Sequence, residues 1–203
     1  MFWDNVACVY DIFANIINRK ANKTLCVEVE KLISSSDDVL ECACGTGLLT
    51  GVIAPKCKSL IATDFSIKML KRAKKKYKKY KNTQFEQANI LKLSYDDNSF
   101  DVVIAANVIH LLDAPYQALQ ELDRVCKIGG KIIIPTYMNQ TDKGKTNKVS
   151  NAIGKAGADF KREFTLETYK QFFSEVNYKN TEYIMCQGRI PCAIAVLKKK
   201  TKR

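Results

Sequence analysis

The sequence predicts a single α/β domain on an open, mostly parallel sheet with helices on both faces. Three features predict it. Short apolar runs of strand length alternate with stretches of helical periodicity. The run Phe100-Asp101-Val102-Val103-Ile104-Ala105-Ala106 is almost continuously apolar, which suits a central parallel strand covered on both faces. A further run, Val39 to Ala43, ends in the small-residue turn Cys44-Gly45-Thr46-Gly47 and leads into a helical stretch. Sheets of this kind bind ligands where such turns leave the carboxyl ends of the strands.

The elements follow in order. Val6, Val9, Tyr10, Phe13, Ile16 and Ile17 fall at helical spacing. Leu25, Val29, Leu32 and Ile33 predict a second helix, and together the two form a helical cap over residues 1–37. Ser34-Ser35-Ser36-Asp37-Asp38 breaks the pattern and feeds the first strand. Gly45 to about Lys56 reads as turn and helix, and Leu60 to Asp64 as the second strand. Ser66 is an N-cap for a helix to about Tyr80, with Ile67, Leu70, Ala73 and Tyr77 inward. Thr83 to Gln87 is a third strand, and the Phe100 run is the fourth. Asp113 caps a helix that has Pro115 in its first turn and runs to about Cys126. Gly129-Gly130 then connects to a fifth strand, Lys131 to Pro135. Residues 137–163 are polar and form either a substrate lid or a solvated insertion. Thr165 caps a last helix, and strands near Tyr183–Cys186 and Cys192–Leu197 complete the 164–203 segment.

Composition narrows the classes. At 203 residues and 46% apolar, the chain can bury one substantial core, which excludes wholesale disorder. No apolar run approaches the ~20 residues of a membrane span. Asp4 and Asp11 interrupt the N-terminal apolar residues, against a secretory signal. The eight cysteines form no C-x-x-C pair and the chain has one histidine, so no metal site is expected. Reduced cysteines used as small apolar residues point to a cytoplasmic protein. The net charge is +12, with nine Lys/Arg and no acid from Lys68 to Lys81, and a second cluster at Lys198–Arg203. A solvated helix face, a polyanion such as RNA and an anionic membrane surface all fit that distribution; the first is the simplest.

The turn carries the chemistry. Gly45 and Gly47 let the backbone turn sharply beneath a ligand, and the following helix start offers N–H groups to an anionic group. Asp64, 17 residues after Gly47 and at the next strand end, is placed to accept hydrogen bonds from a ribose diol. A dinucleotide fingerprint needs G-x-G-x-x-G or A; here those positions hold Ala43, Gly45 and Leu48, which disfavours a pyrophosphate. No G-K-[ST] follows, so the turn is not a P-loop.

Glu41-Cys42-Ala43-Cys44-Gly45-Thr46-Gly47 resembles the acidic-x-G-x-G-x-G motif of class I S-adenosylmethionine-dependent methyltransferases. Thr63 to Leu70, Ala88-Asn89-Ile90, Phe100 to His110 and Val125 to Lys131 resemble that family's later motifs in the right order, over about residues 38–136. The nearest flavour is the small-molecule branch that includes ubiquinone/menaquinone-biosynthesis C-methyltransferases; Tyr10-Asp11-x-Phe13 resembles it too. The resemblance implies a three-layer Rossmann-like fold, with a seven-stranded, mostly parallel sheet whose last strand is antiparallel. It also implies S-adenosylmethionine as cofactor, S-adenosylhomocysteine as product and a small-molecule acceptor. Glu41 and the turn Ala43, Cys44, Gly45, Thr46 and Gly47 would face the methionine part. Asp64 would hold the ribose, with Phe65, Ser66 and Met69 beside the adenosine. Ala88, Asn89 and Ile90 would read the adenine, and Asn107 and Val108 would lie near the transferred methyl. The departure is Ala43 in place of the first glycine, tolerable if its φ is strand-like.

Methyl transfer from a sulfonium needs alignment more than acid–base groups. His110, the sole histidine, and Tyr10 are the candidates for orienting or deprotonating an acceptor; packing under the 111–115 loop is the favoured reading of His110, and core packing is an equal reading of Tyr10. The alternatives are an RNA methyltransferase using the Lys68–Lys81 helix, or a non-catalytic S-adenosylmethionine- or nucleotide-binding module. No N/D-P-P-Y/F-type segment follows the fourth strand, which weakens base N-methylation.

Overall fold

The computed structural model describes residues 18–138, 161–178 and 180–200. The first apolar stripe, Tyr10 and most of the 137–163 segment lie outside the described residues.

Seven strands form one sheet: β1 (Asp38–Cys42), β2 (Ser59–Asp64), β3 (Thr83–Gln87), β4 (Phe100–Ala105), β5 (Cys126–Tyr137), β6 (Glu182–Cys186) and β7 (Cys192–Lys198). Their order across the sheet is β3-β2-β1-β4-β5-β7-β6. Strands β1 to β5 pair in parallel, and β7 runs antiparallel to both β5 and β6. The strand order reverses between β1 and β4, where Cys42 pairs with Ala105.

The α-helices among the described residues are α1 (Arg19–Lys31), α2 (Thr50–Ile53), α3 (Ile67–Tyr77), α4 (Pro115–Val125) and α5 (Leu166–Ser174). They divide the core into two apolar layers. Leu25, Val29, Ile53, Leu60, Leu70 and Ile133 fill one; Leu40, Val103, Ile109, Leu122, Ile132, Tyr169 and Phe173 fill the other. Strand β4 contributes Val102 and Ile104 to one layer and Val103 and Ala105 to the other, which is why its sequence shows no polar alternation. Helix α1 is tied down by polar clamps. The Asn18 amide donates to Ile190 O (2.9 Å) and accepts from Ile190 N–H (3.2 Å), and Tyr137 Oη donates to Asn22 Oδ1 (2.8 Å).

Several expectations change. The helix expected from Gly45 to Lys56 is a single turn, α2, because residues 45–49 remain in the turn and Pro55 sits just past the end. Ile67 is exposed and Met69 takes its inward place, because the Ser66 cap, accepting from Met69 N–H at 3.2 Å, turns Met69, Leu70 and Ala73 toward the sheet. Asp113 does not cap α4; it pairs with Lys161 at 3.1 Å and Ala114 occupies the cap position. Gly129-Gly130 belongs to β5 itself, not to a connection. At Gly130 a Cβ would lie 2.7 Å from Asp101 O, so the close approach of β4 and β5 requires glycine there. Thr165 does cap α5, in a reciprocal box with Thr168.

Among the described residues no helix is long and apolar enough to cross a membrane.

Candidate cofactor site

A cleft of about 360 Å³ opens at the carboxyl ends of β1, β2, β3 and β4, at the point where the strand order reverses. Ala43 and Gly45 come from the turn after β1, Thr63, Asp64 and Phe65 from the end of β2, and Met69 from α3. Ala88, Asn89, Ile90 and Leu91 follow β3; Ala106, Asn107, Val108, Leu111 and Leu112 follow β4. The volume and the mostly apolar wall fit a small organic ligand.

Asp64 organises the polar side. Gly45 N–H donates to its Oδ2 and Ser66 N–H to its Oδ1, both at 2.8 Å. The same turn is held from its other end by Cys44 N–H donating to Thr63 O at 2.8 Å. The ends of β1 and β2 are thus stitched together by backbone donors, and the carboxylate is fixed before any ligand arrives. Asp64 is the one ionisable side chain among the described residues lining the cleft.

Two residues on the cleft carry backbone strain. Ala43 has φ of 53° and Asn107 has φ of 51°. The strand-like φ that would make alanine harmless at the first motif position is therefore not adopted. A non-glycine residue in this region costs about 1–2 kcal/mol, less for asparagine. Asn107 N–H donates to Pro135 O at 2.8 Å, which locks that turn onto β5. Among the described residues its Oδ1, which is buried, has no hydrogen-bond partner. A buried acceptor in this condition points to a donor delivered by a ligand.

Ten of the residues expected at the cofactor lie on the cleft: Ala43, Gly45, Asp64, Phe65, Met69, Ala88, Asn89, Ile90, Asn107 and Val108. Five do not. Glu41 is only 2% exposed and turned inward, where Thr50 Oγ1 donates to its Oε2 at 2.6 Å. Burial pushes its carboxyl up to about 8, the Thr50 hydrogen bonds opposing and the nearby Asp64 charge adding to the rise. Cys44 and Thr46 are buried, and Ser66 spends its hydroxyl on capping α3. Gly47 answers to packing: at φ of 88° a Cβ would meet the Tyr77 ring at 2.5 Å. Asn89 shapes its own loop, its Oδ1 accepting from Leu91 N–H at 3.0 Å.

His110 does not reach the cleft. It is buried in the 3-10 turn Ile109–Leu111, and burial holds its imidazole neutral by lowering its pKa to about 4. Sequence reading missed Thr63, Ala106 and Leu91, and also Leu111 and Leu112, which wall the far end. The apolar turn at 109–112 was the available signal for the last pair.

Residues 40–134 match the family described as methyltransferase domain. The chain is similar to that family over these residues, and its sheet order and the position of the cleft agree with the similarity. Its curated relatives include methyltransferases named for ubiquinone and menaquinone. The ubiquinone/menaquinone biosynthesis C-methyltransferase UbiE of Bdellovibrio bacteriovorus is 37% identical over 110 residues, covering 49% of this chain and 44% of that protein. The demethylmenaquinone methyltransferase of Staphylococcus carnosus is 31% identical over 137 residues, covering 64% and 56%. The chain thus spans about half the length of the curated relatives it matches. Among solved structures, the N-methyltransferase NodS of Bradyrhizobium japonicum, in complex with S-adenosyl-L-homocysteine, shares the fold. Its TM-score is 0.69 at 19% identity, over 88% of this chain and 87% of that one.

Proposed function

We propose that the cleft binds S-adenosylmethionine and that the chain passes its methyl group to a small-molecule acceptor by in-line displacement. The observation that carries this reading is the Asp64 carboxylate, set by Gly45 and Ser66 N–H groups at the carboxyl end of β2 and facing an apolar cleft. A carboxylate has about four acceptor positions, and the hydroxyls of a ribose diol are donors of the matching kind. The buried Oδ1 of Asn107 supports it at the other end, as an acceptor suited to the ammonium of a methionine moiety.

The bound cofactor supplies an electrophilic methyl on a sulfonium. The chain's residues bind and align. Phe65, Met69 and Ile90 give apolar surface for the adenosine, and Leu91 extends it. Val108, Leu111 and Leu112 exclude water from the far wall, where an acceptor would approach. His110 is not assigned a base role: it is neutral and off the cleft. An acceptor that is already a competent nucleophile requires no base from the chain. The two relatives described above are named for ubiquinone/menaquinone and demethylmenaquinone, and a small, largely apolar acceptor suits the composition of this cleft.

Calorimetric titration with S-adenosylhomocysteine tests the reading. Micromolar binding that Asp64→Ala removes is expected; absence of binding to S-adenosylhomocysteine, or preference for NAD, would overturn it.

A further inference from the structure

Helix α3 and the turn after it carry Lys68, Lys71, Arg72, Lys74, Lys75, Lys76, Lys78, Lys79 and Lys81, all exposed, and residues 65–81 contain no acid. Other helices mix signs: α1 has Glu28 and Glu30 among its cations, and α4 has Glu121 and Asp123 beside Arg124. In α3 the pairs Lys68–Arg72, Lys71–Lys75 and Arg72–Lys76 sit at i,i+4, where like charges destabilise a helix. Only Met69, Leu70 and Ala73 of α3 are buried. Two apolar side chains stand exposed at the start of this basic segment. Phe65 is 52% exposed and lines the cleft itself; Ile67, at the first turn of α3, is 46% exposed.

We propose that this face, the α3 lysines together with Phe65 and Ile67, docks on the surface of an anionic phospholipid bilayer. Cations attract the headgroups, and two adjacent apolar side chains give a short wedge to the interface. The chemistry favours lipid over single-stranded RNA. A single-stranded nucleic acid would need a series of exposed aromatic rings for successive bases, and among the described residues of this face only Phe65 offers one. Here the Tyr77 ring packs against Gly47 and Gly51, and Lys76 and Lys79 lie over the Tyr77 and Tyr80 rings at 5.1 and 4.9 Å. Because Phe65 belongs to both surfaces, docking would place the cleft mouth beside the bilayer, the side from which a membrane-dissolved acceptor would enter. That last consequence rests on the proposed function; docking itself does not.

The test is co-sedimentation of the full chain with phosphatidylcholine vesicles, alone or carrying roughly a third phosphatidylglycerol, at about 0.1 M salt. Binding is expected only to the anionic vesicles. Each lysine at the surface contributes a factor of about five, so the variant Lys71→Gln/Lys74→Gln/Lys75→Gln/Lys78→Gln should lose on the order of 100-fold or more. These four side chains are solvent-exposed, and a circular-dichroism melt checks that the variant is folded; Lys71→Gln/Lys75→Gln serves as a milder second variant with a smaller loss. Ile67→Ser should weaken the binding that survives at high salt. No anionic-vesicle binding, equal binding to neutral vesicles, insensitivity to the lysine changes, or lysine-dependent binding of a single-stranded RNA without vesicle binding would each overturn the proposal. The readout involves neither cofactor binding nor methyl transfer, so its failure is separable from failure of the cleft reading.

Discussion

The Gly45 N–H donates to Asp64 Oδ2 at 2.8 Å, so the residue assigned to the ligand is also the latch between the ends of β1 and β2. Ser66 N–H holds the other oxygen. Hydrogen bonds to a charged acceptor contribute roughly 1.5–3 kcal/mol each. Asp64→Asn keeps the size but removes the charge and sets an amide donor against one of these N–H groups. The expected outcome is a loss of ~1–3 kcal/mol in urea unfolding and a fall in S-adenosylhomocysteine affinity of about 100-fold by calorimetry. Unchanged affinity would show that the carboxylate does not contact the ligand.

Glu41 gives the pH dependence a sign. Its folded pKa is about 8 against an ordinary 4.5, so between these values the folded chain keeps a proton that the unfolded chain has released. That contribution to stability is complete below pH 4.5 and is lost as pH rises through 8, by up to ~1.4 kcal/mol per pH unit. Glu41→Gln retains an oxygen for the Thr50 hydroxyl and has no proton to lose. Between about pH 6.5 and 8 its melting temperature should fall less with rising pH than that of wild type. His110 acts in the opposite sense: its stability contribution is lost as pH falls from 6.5 toward 4, and this limb should persist in Glu41→Gln.

Ala43 pays for a left-handed φ that glycine adopts freely. Relief of about 1–2 kcal/mol exceeds the ~0.4–1 kcal/mol that glycine adds to unfolded-state entropy. Ala43→Gly should therefore stabilise the fold by about 0.5–1 kcal/mol in chemical denaturation. Destabilisation would mean that the methyl group packs usefully at the cleft floor.

Gly51 is a packing residue. A Cβ there would lie 2.6 Å from the Tyr77 hydroxyl. Gly51→Ala should destabilise by ~1–3 kcal/mol through overpacking. Tyr77→Phe removes the nearest clashing atom, so the double variant should recover part of that loss. A strictly additive double-mutant cycle would contradict the contact.

The sheet was legible because its signals are periodic and local: β4 is apolar on both faces, and Ser66 and Thr165 cap helices through their own hydroxyls. The cleft was legible where residues follow strand ends, as Asp64, Asn89 and Asn107 do. What was hidden depends on long-range packing. Glu41 looks like a ligand group in the sequence, but Thr50, nine residues on, draws it into the core. Gly47 reads as a ligand-facing glycine until the Tyr77 ring is found against it. His110 sits in the right segment, yet the turn at Ile109–Leu111 buries it instead of aiming it at the cleft. Asp113 lost its capping role to an ion pair with Lys161, 48 positions away in the chain.

The most direct measurement is a crystal structure of the chain with S-adenosylhomocysteine. The ligand is expected in the cleft, with its ribose hydroxyls on the Asp64 carboxylate, its adenine between Phe65 and the Ala88–Ile90 loop, and its ammonium near Asn107 Oδ1. A ligand bound elsewhere, or bound here with no contact to Asp64, would contradict the assignment of this cleft as the cofactor site.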